Sequence, residues 1–353
     1  MNTIEKLHLI ESVWRNYIWE YDFFREKLNF DDESKTNYVG VIFGYFHDTL
    51  PIITNYLNDK SPSSLNNDFL NSIGLLQVIY LQQDLVIELN KSFGFSHDIT
   101  SNTNRELRNE LIGHPISRFQ NRTLKSFCLF GYETSRNKIV YLKYAQNNNF
   151  KFQAKEYQTN EIIENHIKLL DKNFELILNK IKRLFTEFKK QLNLILENIH
   201  TTTFEILIEE ISKNFNFYFK SDIVFSRENI LKTYNLKDKA LRYNYNLKLF
   251  LSNLKCSLIE NINTINKTYL RKKENVIEYK YIDLPSNYTF GKLYSNHPIF
   301  GINYFKERFS FDKEIIIELE NMENNIGNDF QYYCSYNYLQ HLINEKHPSF
   351  FNE

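Results

Sequence analysis

Apolar residues early in the chain recur at steps of three and four. Leu7, Ile10, Trp14, Tyr17, Ile18, Tyr21 and Phe24 make one stripe over residues 4–28, as an amphipathic helix requires. Asp31 to Lys35 interrupts it. A second helix is predicted over 37–57, very apolar from Val39 to Phe46, with a kink or break at Pro51 where the chain lacks an amide donor. The polar run at 61–67 is a loop, and Ser64 is placed to cap a third helix over 66–92. Residues 93–102, with Gly94, form the next loop. A short fourth helix, 103–112, ends at Gly113-His114-Pro115.

The period then shortens. LKSFCLFG (124–131), KIVYLKYA (138–145) and FKFQAKEY (150–157) alternate, with turn-like TSRN and QNNN between them. A small antiparallel meander follows. From 160 to 200 there is neither Gly nor Pro, and apolar residues fall at 163, 167, 170, 174, 177, 181, 184, 188, 192, 195 and 199. The early part is a heptad seam. A helix of that length, ~60 Å, needs a partner from its own chain or a second copy. Thr202-Thr203-Phe204-Glu205 fits a capping box that starts another helix. Beyond it the chain reads as helical at about 204–219, 226–234, 238–270, 312–325 and 328–345. VIEYKYIDL (276–284) is the one strand candidate there, and 285–301 an ordered loop rich in Tyr and Phe.

The expected fold is mainly α, in four parts: a helical bundle (1–122), a small antiparallel β insertion (123–158), a long helix (159–200) and a helical C-terminal domain (201–353). Composition agrees. Only 9 Gly and 6 Pro in 353 residues mean few turns, which argues against an all-β sandwich, and 42% apolar residues exclude bulk disorder. Lys plus Arg (43) equals Asp plus Glu (43), so a protein that coats nucleic acid generally is not expected. The 3 cysteines, Cys128, Cys256 and Cys334, are far apart and suggest neither a disulfide framework nor a zinc site. Glu5 and Glu11 interrupt the N-terminus, which has no apolar core of a signal peptide, and the longest apolar run falls short of the ~18 residues a membrane span needs. A cytoplasmic protein without a membrane partner is expected.

Chemistry concentrates in residues 105–115. Arg108 and Asn109 are followed, after four residues, by His114. His exchanges protons near neutral pH. Arg offers a planar, permanently charged fork that matches phosphate oxygens, and Asn adds a neutral amide. Together they suit acid–base chemistry and charge stabilisation at a phosphodiester. Gly113 and Pro115 place His114 at a helix end. Six residues along a continued α-helix turn by about 240°, so Arg108 and His114 would not share a face. From residue 105 to 125, five bases (Arg105, Arg108, Arg118, Arg122, Lys125) face two acids (Glu106, Glu110). That local excess makes Arg105, Arg118, Arg122 and Lys125 candidate substrate-binding residues.

The Arg108-Asn109-x4-His114 pattern, preceded by three apolar helices, resembles the HEPN superfamily over roughly residues 1–120. The resemblance implies a HEPN-like helical bundle and a homodimer whose two motifs face one cleft. It also implies metal-independent endoribonuclease chemistry, with catalytic Arg108, Asn109 and His114 and no cofactor. The 2′-hydroxyl of RNA attacks, leaving 2′,3′-cyclic phosphate and 5′-hydroxyl ends. Such domains are typical of toxins and antiphage abortive-infection systems, so RNA and an antitoxin or regulatory partner are expected. The alternative is a catalytically inactive HEPN-like module that binds nucleic acid or a protein. Other features read as structural. His47-Asp48 is taken as a core histidine and Asn296-His297-Pro298 as a loop. Lys180, Lys182, Arg183, Lys189 and Lys190 are taken as a solvated face, and Arg271-Lys272-Lys273 as a helix end. No glycine-rich phosphate loop, HExxH or serine elbow is present.

Overall fold

The computed structural model describes residues 1–30, 33–58, 64–95, 103–113, 116–118, 124–129, 133–145, 151–214, 226–271, 298–348 and 350. The fold is mainly α with one small sheet. Its contacts gather into two compact units: residues 1–19 with 24–181, and residues 20–23 with 182–353.

In the first unit the N-terminal stripe is divided. α1 (Thr3–Val13) opens with a capping box in which Asn2 and Glu5 each accept the other's backbone N–H. It widens into a π-turn (Trp14–Ile18), and α2 (Asp22–Leu28) follows. Asn29, in the left-handed region at φ 55, closes α2 with a Phe30 N–H to Arg25 carbonyl bond of 2.7 Å. α3 (Glu33–Asn58) continues through Pro51, so of the expected kink or break there is no break. Phe46 and Ile53, on either side of the proline, are both buried, and that packing offsets the missing backbone bond. At Gly40 an added Cβ would sit 2.8 Å from the Trp14 ring, so glycine is what lets the indole approach α3. Trp14 Nε1 also donates to the Thr36 carbonyl at 3.0 Å.

α4 (Leu65–Ser92) starts at the Ser64 cap and ends in a Schellman closure. Gly94 has φ 75; its N–H bonds to the Lys91 carbonyl and the Phe95 N–H to that of Asn90. α5 (Thr103–Arg108) continues as a π-turn (Asn109–Gly113). The sheet is antiparallel in the order β1 (Ile116–Arg118), β2 (Leu124–Leu129), β3 (Lys138–Ala145), β4 (Phe152–Gln158). β1 was not expected: its three residues lie in the stretch assigned to the bundle and are too few to show a period. Ile139, Tyr141 and Phe127 of the sheet join Leu75, Leu76 and Ile79 of α4 and Leu107 of α5 in one core with Ile162 and Ile163.

α6 (Thr159–Asn198) bears out the long helix. Of the two partners the seam left open, its own chain or a second copy, its own chain covers it. Phe174 meets Phe46 in the first unit, and Phe188 meets Phe23 in the second. Of the seam residues, Ile167 alone is exposed. Polar groups line part of the first unit's interior. His166 Nε2 lies 2.7 Å from Gln82 Oε1, the Gln82 amide donates to Thr49, and Asn90 donates to Asn173.

The second unit holds α7 (Phe204–Asn214), α8 (Arg227–Leu236) and α9 (Leu241–Thr264), which passes into a π-turn (Ile265–Tyr269). α10 (Pro298–Arg308), α11 (Lys313–Asn324) and α12 (Asp329–Lys346) complete it. α10 begins inside the stretch read as a loop. Proline at a first helical position loses no helical bond, and Ile302, Phe305 and Phe309 bury themselves against Ile315 and Leu339. The strand candidate at 276–284, Lys272, Lys273, Asn296 and His297 lie outside the described residues. No helix among the described residues is long and apolar enough to cross a membrane.

Candidate active site around Arg108

α4 presents Gln77, Tyr80 and Asp84 at steps of three and four, one face of a helix. α5 lays Arg105 and Arg108, three apart, against that face. The Arg108 guanidinium lies 4.0 Å from the Tyr80 ring centre and that of Arg105 4.5 Å, so one ring carries two cations. Arg105 is engaged further within the fold: its Nη1 is 2.6 Å from Asp84 Oδ1, and its Nη2 donates to the Tyr80 hydroxyl at 3.2 Å.

Arg108 is used differently. Its Nε donates to Gln77 Oε1 at 3.2 Å and its Nη1 to Asn109 Oδ1 at 3.1 Å. Both acceptors are neutral, so the positive charge is oriented without being cancelled. With its oxygen turned toward Arg108, the Asn109 amide leaves its two N–H donors available on the same half-buried tip. Two neighbouring donor groups, one of them charged, suit a phosphate oxyanion.

The π-turn changes the geometry inferred from a continued α-helix. A π-turn bonds residue i to i+5, so Gly113 comes over Arg108. A Cβ on Gly113 would lie 2.7 Å from Arg108 Nη1 and 3.4 Å from Asn109 Oδ1. A side chain there would push the guanidinium out of this position. The space a side chain at position 113 would take, next before His114 in the chain, is thus filled by the Arg108 guanidinium and bordered by the Asn109 amide. The ~240° separation does not apply to this stretch, because it assumed 3.6 residues per turn.

Glu110 fastens the turn to the sheet. It accepts from the Tyr141 hydroxyl at 2.7 Å and from Lys143 Nζ at 3.0 Å. Burial, and then the Glu110 carboxylate beside it, push the Tyr141 phenol well above its ordinary range, so it stays a donor. The acid inside the motif is thus occupied by β3. His114 and the side chains of Arg118, Arg122 and Lys125 lie outside what is described.

Sequence reasoning missed Gln77, Tyr80, Asp84 and the Glu110–Tyr141–Lys143 contact. Tyr80 reads as one more apolar position in the α4 stripe, and its partners are remote in sequence from the motif. It also misplaced His47, which is 42% exposed on its side chain and pairs with Glu11 at 2.9 Å. Among the described residues no three His, Cys, Asp or Glu side chains cluster as metal ligands would. No protein family, curated protein or solved structure matches the chain significantly.

Proposed function

We propose that this chain is a metal-independent endoribonuclease of HEPN type, working in the cytoplasm as a toxin or an antiphage abortive-infection effector. The observation that supports the reading is the Arg108 guanidinium held by Tyr80, Gln77 and Asn109, all neutral, at the turn that runs to Gly113. It gathers a charged donor and an amide donor at one turn, immediately before His114 in the sequence. In this reading Arg108 stabilises the charged phosphorane and Asn109 orients the phosphate. His114 takes the 2′-hydroxyl proton or protonates the leaving 5′-oxygen. Arg118, Arg122 and Lys125 follow the RNA backbone, while Arg105 buttresses Arg108 through Tyr80. A second copy of the chain duplicates the motif at one cleft.

Total RNA incubated with the purified protein in EDTA tests the proposal. Cleavage to 2′,3′-cyclic phosphate ends is expected, lost in His114→Ala and Arg108→Ala. Expression in a bacterial host is expected to stop growth, and Arg108→Ala to relieve it. Light scattering is expected to show a dimer. A wild-type chain that leaves RNA intact in every buffer tried would replace the enzyme with a silent binding module.

A further inference from the structure

β4 lies at the edge of the sheet, bonded to β3 on one side only. Every residue of it except Tyr157 is exposed. Side chains alternate along a strand. Gln153, Lys155 and Tyr157 share one face, where Tyr157 stacks on the buried Tyr141. Phe152, Ala154 and Glu156 share the other. Tyr144 of β3 is the register partner of Phe152, and their rings lie 5.0 Å apart at 39° on that second face. Phe152 is 67% exposed.

Unspent charge brackets this ring pair. Lys151 and Lys155 are exposed, and neither has an ion-pair partner among the described residues. The lysines of β3 differ: Lys138 pairs with Glu133 and Glu156, and Lys143 with Glu110. From Lys151 to Lys155 the chain carries no acid. Lysine on an edge strand guards it against pairing with other strands. Phe152 works against that guard, because a large ring exposed at an open edge invites association. A ring kept there between two free cations matches an anionic chain that carries flat aromatic groups. Single-stranded nucleic acid is such a chain: its bases stack on rings and its phosphates meet lysines. In a duplex the bases are already stacked on one another, and an acidic peptide would use the lysines and leave the rings idle. Lys143, next in the chain to Tyr144, donates to Glu110 at 3.0 Å, so β3 links the ring pair to the turn that holds Arg108 and Asn109.

We propose that Tyr144 and Phe152, flanked by Lys151 and Lys155, form a stacking platform for single-stranded RNA at the edge of the sheet. This names the substrate class of the ribonuclease reading, and it rests on that reading for RNA as the strand. Every base has a π-face, so the platform holds a strand with little regard to its sequence.

Fluorescence anisotropy with the full chain tests this, using a labelled mixed-sequence single strand of 2′-O-methyl nucleotides as the probe. Its blocked 2′-oxygens cannot attack, so binding is read without cleavage. Saturable binding is expected, kept in Phe152→Trp and weakened about tenfold, or about 1.4 kcal/mol, in Phe152→Ala and Phe152→Leu. The position is exposed, and thermal melts of the three variants should match the wild type. Replacing Lys151 and Lys155 together by Gln should reduce the slope of log affinity against log salt by about 1.4. The same sequence as a duplex is expected to bind more weakly. Cleavage of unmodified RNA is measured alongside. Phe152-dependent binding without cleavage keeps the platform and removes the nuclease. Cleavage with wild-type affinity in Phe152→Ala removes the platform and keeps the nuclease. Equal affinity of wild type and Phe152→Leu, or a duplex bound as tightly as the single strand, would overturn the proposal. Absence of binding would overturn it too, and would leave the edge to a strand from a protein partner.

Discussion

Arg242 in α9 and Arg108 at the end of α5 are both held by neighbours, by opposite means. Arg242 is 12% exposed on its side chain, and its Nε lies 3.3 Å from the Oε2 of Glu318, itself 6% exposed. Its Nη1 donates to Ser335 at 3.1 Å, and Asn321 donates to the same hydroxyl. Burial pushes the Glu318 carboxyl up, and the Ser335 hydrogen bond and the Arg242 charge offset this only in part. Arg108 instead rests on a ring and two amide oxygens at a half-buried tip. The first arginine spends its charge inside the protein, holding α9 to α11 and α12. The second is oriented with its charge intact. Rigid support without charge compensation is what a group reserved for an anionic ligand needs.

The largest expected effect breaks the first member of the pair. Arg242→Ala leaves Glu318 buried without its cation, which costs about 3–5 kcal/mol. Urea unfolding should show that loss, while RNA cleavage by the protein that remains folded stays near wild type. Arg108→Ala should do the reverse. Removing a charge-stabilising donor lowers turnover by about 10²–10³-fold. Stability should fall by only about 1 kcal/mol, the value of a partly exposed cation–π contact. If the two variants exchange these phenotypes, the distinction between spent and reserved charge is wrong.

Histidines sharpen the same contrast. His47 faces solvent, whereas His166 is 0% exposed and pairs with Gln82. Burial holds the His166 ring down to about 4 against an ordinary 6.5. Between those values the unfolded chain binds a proton that the folded one refuses, so acid favours unfolding. The contribution is intact above about pH 6.5 and is lost as pH falls toward about 4, on the order of 3 kcal/mol in all. Unfolding midpoints at about pH 7 and about pH 5 should differ in this direction. His166→Gln should shrink the difference, and an unchanged difference in that variant would assign it to another group.

Much of the helical frame can be read from the chain because each helix there is decided locally. The α6 stripe, the Ser64 cap and the Gly94 closure are made by residues within a turn of one another. Three kinds of feature were not readable. β1 has only three residues, and its identity depends on pairing with β2. The π-turn at Asn109–Gly113 has no periodic signature; it is held by Glu110 reaching across to Tyr141 and Lys143 and by the absence of a Cβ at Gly113. The pairing of Arg108 with Tyr80 and Gln77 joins two helices through a contact that neither segment announces. Arg108, Asn109 and His114 could be picked out as candidates for chemistry. The face of α4 that holds Arg108 could not, because tyrosine in a three-four stripe normally means core.

That face supplies the finest test. Tyr80→Leu keeps an apolar side chain on α4 but removes the ring under both guanidinium groups and the hydroxyl that Arg105 donates to. Tyr80→Phe removes the hydroxyl alone. A ring that merely stabilises the fold would cost both variants some stability and leave the chemistry of the folded fraction alone. A ring that sets the position of Arg108 acts on turnover instead, since a misplaced donor weakens the transition state more than substrate binding. Tyr80→Leu is therefore expected to lower kcat about tenfold with little change in KM and about 1 kcal/mol of stability, and Tyr80→Phe to keep most of both. Arg105→Ala should fall between them, because Asp84 and Tyr80 would lose the cation that braces the ring. Equal kcat in wild type and Tyr80→Leu, with Arg108→Ala still inactive, would leave Arg108 its role and take the support away from α4.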